Sequence, residues 1–218
     1  MKHYTTEPFM DNNVSFGIPD EFRDIELEAM LVEVKESDEF QGFSVGIGGS
    51  IYRHCEIWNS RIYFGCCDKN LYCLGMDGRM LWSFKTGDVT PSVTVHGGVA
   101  YAVSFDGNLY AVDAMSGKLV WKFPTDGKIL YAPFIHGDVL YFGSEDGNLY
   151  AVGTDSRPLW KFRTRGPIAC RPFAQGDRVY FGSMDCNLYC VDKRDGSLIW
   201  KFSGSDEVGS PVVYRESQ

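Results

Sequence analysis

A twelve-residue segment recurs four times along the chain, and this repetition restricts the possible folds more than any other feature. The third copy, VLYFGSEDGNLY, begins at Val139, and the other copies begin at Arg61, Val99 and Arg178. About ten residues after each copy comes a tryptophan, and successive tryptophans are 39, 39 and 40 residues apart: Trp82, Trp121, Trp160 and Trp200. A constant period near 40 is typical of repeat architectures in which each unit is one supersecondary element.

Each unit is predicted to contain four short strands separated by turn residues. In the third unit we expect strands over residues 131–135, 139–144, 148–152 and 159–162. The second and third strands are joined through Asp146-Gly147, a dipeptide that suits a tight hairpin turn because glycine adopts positive φ angles. The second unit has the same dipeptide at Asp106-Gly107.

The third strand of every unit is apolar on both faces. A leucine precedes a tyrosine in each copy, and alternate residues of a strand point to opposite faces. The pairs are Leu71-Tyr72, Leu109-Tyr110, Leu149-Tyr150 and Leu188-Tyr189. A sheet buried on both faces, repeated about every 40 residues, predicts an all-β propeller in which each four-stranded blade packs between two neighbours.

The sequence resembles the PQQ-like β-propeller repeat family, named for quinoprotein dehydrogenases. Besides the recurring segment, the run from Ala111 to Trp121 carries this resemblance, because it matches the family's tryptophan-docking pattern of a small residue, a turn glycine and a tryptophan. Cys190, Gly196 and Trp200 repeat it at the same spacing. The resemblance implies four full blades at about 50–88, 89–128, 129–166 and 167–206, followed by one extra strand within 207–218.

The N-terminal arm, residues 1–49, carries the chain's net charge. It has 3 basic and 11 acidic side chains, a net charge of −8, whereas residues 50–218 have 18 of each sign. We consider two roles for the arm, a degenerate preceding blade or a cover for the open edge of the propeller. Since the repeats lack the basic stripe that nucleic-acid binding needs, nucleic acid is not an expected partner.

The N-terminus has no basic start followed by an apolar core, and no run of 18 apolar residues occurs. These features predict a cytoplasmic chain without a membrane span. Many proteins of the PQQ-like family are exported, however, and a chain trimmed of its signal would show the same sequence.

Four blades and an extra strand leave the closure of the ring open, because an unclosed propeller exposes a strand edge and an apolar face. The extra strand could share a fifth blade with residues 22–49. Alternatively, two chains could combine into an eight-bladed homodimeric ring, or the chain could be part of a longer propeller. We favour the second or the third alternative, since the family usually builds seven or eight blades.

Seven cysteines occur in the chain, and five of them are candidate site residues. Quinoprotein alcohol dehydrogenases of this fold carry a disulfide between neighbouring cysteines at the cofactor, which makes Cys66 and Cys67 candidates. Their position in a hairpin turn favours a structural role instead. Cys73, Cys186 and Cys190 are candidate metal ligands, but no zinc-finger spacing is present, and Cys73 and Cys190 align with alanines. Buried small residues explain these two better.

The remaining candidates are acidic residues and one histidine. An aspartate occupies the same turn position in every unit, which favours turn formation over acid–base or calcium chemistry: Asp68, Asp106, Asp146 and Asp185. His54 is expected in a first strand near the central channel, and we treat it as a weak cofactor-binding candidate.

A non-catalytic binding or scaffold module is the function that this sequence favours. The expected partner is a protein or small ligand on the propeller face, as in the resembling propeller of the outer-membrane assembly lipoprotein B family. The main alternative is a quinoprotein dehydrogenase, or a fragment of one, that binds pyrroloquinoline quinone with calcium. The repeats contain none of the acidic and amide constellation that this cofactor needs. An accessory propeller of a larger enzyme is the second alternative.

Overall fold

The computed structural model describes residues 46–204 apart from Tyr52 and His54, and all regular structure in this part of the chain is β-strand. The strands form four antiparallel sheets of four strands each, and within every sheet the strands follow the order of the chain. Each sheet is therefore one of the four sequence units. The prediction of an all-β fold built from four-stranded blades is confirmed.

The sixteen strands divide evenly among the units. The first unit contains β1 (Glu56–Trp58), β2 (Arg61–Gly65), β3 (Asn70–Gly75) and β4 (Met80–Lys85). The second contains β5 (Ser92–His96), β6 (Val99–Val103), β7 (Asn108–Asp113) and β8 (Leu119–Pro124). The third contains β9 (Phe134–His136), β10 (Val139–Gly143), β11 (Asn148–Gly153) and β12 (Pro158–Arg163). The fourth contains β13 (Phe173–Gln175), β14 (Arg178–Ser183), β15 (Asn187–Asp192) and β16 (Leu198–Ser203).

The first strand of the third unit is shorter than predicted, because residues 131–133 precede β9 instead of belonging to it. Pro133 has no N–H to donate to a neighbouring strand, so the ladder begins only at Phe134. Pro172 stands in the same place before β13. By contrast β5 has Val93 in this place and extends over five residues.

The core lies between successive sheets and not within any one of them. The joint between the second and third units is formed by residues of both, with Tyr101 and Leu109 on one side and Phe142 and Tyr150 on the other. Equivalent clusters join the first unit to the second and the third to the fourth. The third strands are accordingly buried on both faces, as predicted.

First strands lie at the hub, where β1 contacts β5 and β9 contacts β13. Fourth strands lie outermost, and in β4, β8 and β12 half-buried residues alternate with exposed ones. A register shift occurs where the third strand meets the fourth in all four units, directly after the small residue Cys73, Ala111, Ala151 or Cys190.

Predictions for residues 1–45 and for an extra strand within 207–218 lie outside the described residues. The proposed blade limits also stay predictions. Within the described residues there is no helix of the length and hydropathy needed to cross a membrane.

Candidate functional site

The repeated aspartates connect each hairpin turn to the loop that precedes the unit. In the second unit, one oxygen of Asp106 accepts the Asn108 backbone N–H at 3.0 Å, which closes the turn. The other oxygen accepts the Tyr110 hydroxyl at 2.5 Å and the Gly87 N–H at 3.0 Å. Gly87 lies beyond the first unit's last strand, so this carboxylate joins two successive blades.

The same contacts recur in the other units. The backbone N–H of residue 48, 126 or 165 donates to the corresponding aspartate at 3.0 to 3.2 Å. Burial alone would raise the pKa of Asp106, but hydrogen bonds from Tyr110 and Asn108 outweigh it and hold the pKa below its ordinary value. Burial and the neighbouring carboxylate also raise the pKa of the Tyr110 hydroxyl to about 12. This network gives the aspartates a structural role.

Tryptophans of the first three units dock on the following unit. Trp82 donates its indole N–H to the Ala114 carbonyl at 3.1 Å. Trp121 and Trp160 make the equivalent bonds to Thr154 and Lys193 at 3.0 and 2.9 Å. The Trp82 ring packs directly on the Gly117 backbone, where a Cβ would lie 2.7 Å from the ring. Gly117 also has a φ of 71°, which favours glycine at this position.

A phenylalanine two residues further on completes each joint. Phe84 makes an edge contact with Tyr110 of the second unit, with ring centroids 5.6 Å apart. Phe123 and Phe162 make the same kind of contact with aromatic rings of the third and fourth units. Each joint therefore half-buries one Trp and one Phe from the preceding blade.

The fourth unit presents the same surface without a following blade among the described residues. We call this surface the open face, and define it as Tyr180, Leu188, Trp200 and Phe202. Trp200 is 38% exposed and Phe202 is 66% exposed, and β16 is exposed at every residue. Tyr180 and Leu188 are half-buried, whereas their equivalents in the other three units are at most 2% exposed. Among the described residues, no acceptor lies opposite the Trp200 indole.

Sequence reasoning assigned Trp200 a structural role only, and it did not single out Phe202. A signal was present, because a phenylalanine follows the tryptophan by two residues in every unit: Phe84, Phe123, Phe162 and Phe202.

The cysteine candidates lie at separate structural positions. Cys66 and Cys67 are free thiols in the hairpin turn, and Cys66 takes the place of the buried serines 104, 144 and 183. Burial raises the pKa of the Cys66 thiol to about 12 and also raises that of Cys67, so both are protonated at neutral pH. Cys73 and Cys190 are buried beside the docking tryptophans of their own units. Cys186 lies in the fourth hairpin turn.

Within the part of the chain that the structure describes, no group of three His, Cys, Asp or Glu side chains could hold a metal ion. His54 lies outside the described residues. The cofactor alternative, pyrroloquinoline quinone with calcium, stays a prediction.

Two arginines at the hub are further candidates that sequence reasoning missed. Arg53 precedes β1 and Arg171 precedes β13, and both extend toward the third unit. The repeat pattern gave no signal for them, because no arginine occupies the equivalent positions of the other units.

Four consecutive blades, of which the first three each dock on the next through a tryptophan, define a β-propeller of the PQQ-like class. A family model described as outer membrane protein assembly factor BamB matches residues 68–203 and 154–217. The chain belongs to this BamB family, which confirms the resemblance found in its sequence. A search of curated proteins found no match.

Solved structures agree on the fold. BamB from Moraxella catarrhalis matches with a TM-score of 0.61 and 19% sequence identity over 72% of this chain. The computationally designed Ika8 protein matches with a TM-score of 0.67 and 14% identity over 74% of this chain. In both cases the match covers 52% of the other protein, so this chain spans about half the length of these structures.

Proposed function

We propose that this chain is a non-catalytic β-propeller module that binds protein through the open face of its fourth unit. The exposure of Trp200 and Phe202 carries the proposal, because the same residue types are covered at each of the three internal joints. Large exposed aromatic surfaces mark interaction sites. The family description, an outer membrane protein assembly factor, supports a protein partner as well.

The internal joints indicate what fits this surface. Each docking Phe contacts an aromatic ring on the next blade, and in the third and fourth units it meets a stacked pair. Phe142 stacks on Tyr150 with centroids 5.4 Å apart, and Phe181 stacks on Tyr189 at 5.2 Å. The open face is therefore complementary to the leading face of another PQQ-like blade.

A second copy of this chain is the partner that we propose. Its first unit carries such a pair, Phe64 stacked on Tyr72 at 5.4 Å. Since the chain matches only 52% of each similar structure, two copies supply the length of one such protein. Symmetric exchange, with each fourth unit docked on the other copy's first unit, would close an eight-bladed ring. Ile47 packs against the buried Phe64–Tyr72 pair. Docking of the other copy's Phe202 on this pair therefore requires Ile47 to move aside.

Native mass spectrometry of the full chain under reducing conditions tests this proposal. We expect the mass of two chains, and we expect Phe202→Glu to convert it to the mass of one. Val120→Glu is the matched control, because Val120 is 54% exposed on the outer strand of an internal blade and should not affect assembly. Circular dichroism would verify that both variants fold.

Two outcomes would overturn the proposal. A single-chain mass for the unmodified protein would exclude self-association and favour a longer propeller or a different partner. A two-chain mass that survives Phe202→Glu would place the contact away from the open face.

A further inference from the structure

Two guanidinium groups from different blades lie against the same stretch of the third unit. The Arg53 Cζ atom is 3.9 Å from the centroid of the Tyr131 ring. Arg171 donates from Nη2 to the Pro133 carbonyl at 3.3 Å, and its Cζ is 5.9 Å from the Phe134 centroid. Both arginines precede first strands, which form the hub, so both positive charges face the third unit there.

Neither charge is paired with an acid in the described part of the chain. The ion pairs found there are Lys69–Asp88, Arg79–Asp77 and Arg194–Asp192. The Nε atoms of both Arg53 and Arg171 are buried and have no hydrogen-bond partner. Burial lowers the pKa of Arg171, and only the charge of Glu56 opposes that effect. Half-buried guanidinium groups outside any ion pair are costly, so this arrangement favours binding of an anion.

The aromatic surroundings indicate the shape of that anion. The Arg53 guanidinium lies over the Tyr131 ring and has no hydrogen bond in the described part of the chain, whereas Arg171 uses one nitrogen on the Pro133 carbonyl. The remaining N–H groups suit planar, two-point hydrogen bonding, the geometry that a carboxylate matches. Phe134 also packs edge-on against Phe173 at 5.0 Å, which adds an apolar wall beside Arg171. We propose that Arg53 and Arg171 form a carboxylate-binding site at the hub, independent of the open face.

The carboxylate could belong to a free small molecule or to an acidic peptide, and isothermal titration calorimetry of the full chain distinguishes the two. The probes are sodium benzoate and an acetylated, amidated peptide rich in glutamate, both titrated at matched ionic strength. Inorganic phosphate serves as the comparison anion. We expect one of the two carboxylate probes to bind.

Substitutions then assign the site. Arg53→Gln and Arg171→Gln should each weaken binding by about tenfold, the loss expected for a charge-assisted hydrogen bond. Arg194→Gln is the matched control, because Arg194 is exposed and paired with Asp192, and it should bind as the unmodified chain does. If a glutamine variant does not fold, the lysine variant keeps the charge but lacks the planar fork, and should bind more weakly than arginine.

The proposal is overturned if neither carboxylate binds at concentrations up to about 10 mM, a limit weaker than ordinary specific binding. It is also overturned if phosphate alone binds, or if all three arginine variants bind equally well. The mass measurements report the assembly state separately.

Discussion

One residue of every hairpin turn has a left-handed backbone, and the units differ in whether glycine occupies that position. Gly107 and Gly147 have φ angles of 80° and 81°. Lys69 and Cys186 take the same position with φ angles of 72° and 67°. A side chain with a Cβ is strained in this region, so the first and fourth turns carry a cost that the other two avoid.

Cys186→Gly should therefore raise the free energy of unfolding by about 1 kcal/mol. Urea denaturation followed by tryptophan fluorescence would measure the change. Cys186→Ala is the matched control, because it removes the thiol but keeps the Cβ, and it should change stability little. A glycine variant no more stable than the alanine variant would contradict the strain argument.

At the scale of the element, the docking residues of each outer strand stabilise the protein through their contacts with the following blade. Trp121 half-buries its ring and bonds to Thr154, whereas Trp200 has the same place in its own strand without such an acceptor among the described residues. Comparing the same substitution in β8 and in β16 therefore measures how much of a blade's stability comes from docking.

Trp121→Phe should lower the free energy of unfolding by about 1 kcal/mol, because the half-buried Thr154 carbonyl loses its donor. Trp200→Phe should change it by less than about 0.5 kcal/mol in a single chain. Both substitutions are best measured by urea denaturation in the Phe202→Glu background, in which we expect no assembly. Equal losses at the two positions would show that the indole hydrogen bond is not what stabilises the joint.

For the whole molecule, the repeated aspartates connect stability to pH. Burial alone would raise the pKa values of Asp68, Asp106 and Asp185, but hydrogen bonds from tyrosine and asparagine hold them below the ordinary value. A carboxyl group with a lower pKa in the folded chain contributes stability that is fully present above the unfolded pKa, about 4. This contribution is lost as the pH falls through the folded pKa.

We expect the free energy of unfolding to fall steeply with pH below about 4. Urea denaturation at a series of pH values from 7 to about 2.5 would measure it. Asp106→Asn removes one of the depressed carboxyl groups, so its pH profile should be flatter, with lower stability at pH 7 because the Asn108 and Gly87 contacts weaken. A variant profile parallel to that of the unmodified chain would contradict this prediction.

The sequence by itself determined the blade and its repetition. The period of the tryptophans, the leucine–tyrosine alternation and the Asp-Gly turns each specify structure within about 40 residues. Such local patterns do not depend on how the blades are arranged around the ring. For this reason the strand order and the burial of the third strands could be predicted, whereas the start of β9 was misplaced because the effect of Pro133 was not considered.

Only the tertiary structure decided how the blades contact one another. The bond from the Gly87 N–H to Asp106 and the convergence of Arg53 and Arg171 on the third unit join residues from different blades. The exposure of Phe202 likewise depends on the absence of a neighbouring blade among the described residues. Contacts of this kind depend on the curvature of the whole assembly, which no repeat contains in its own sequence.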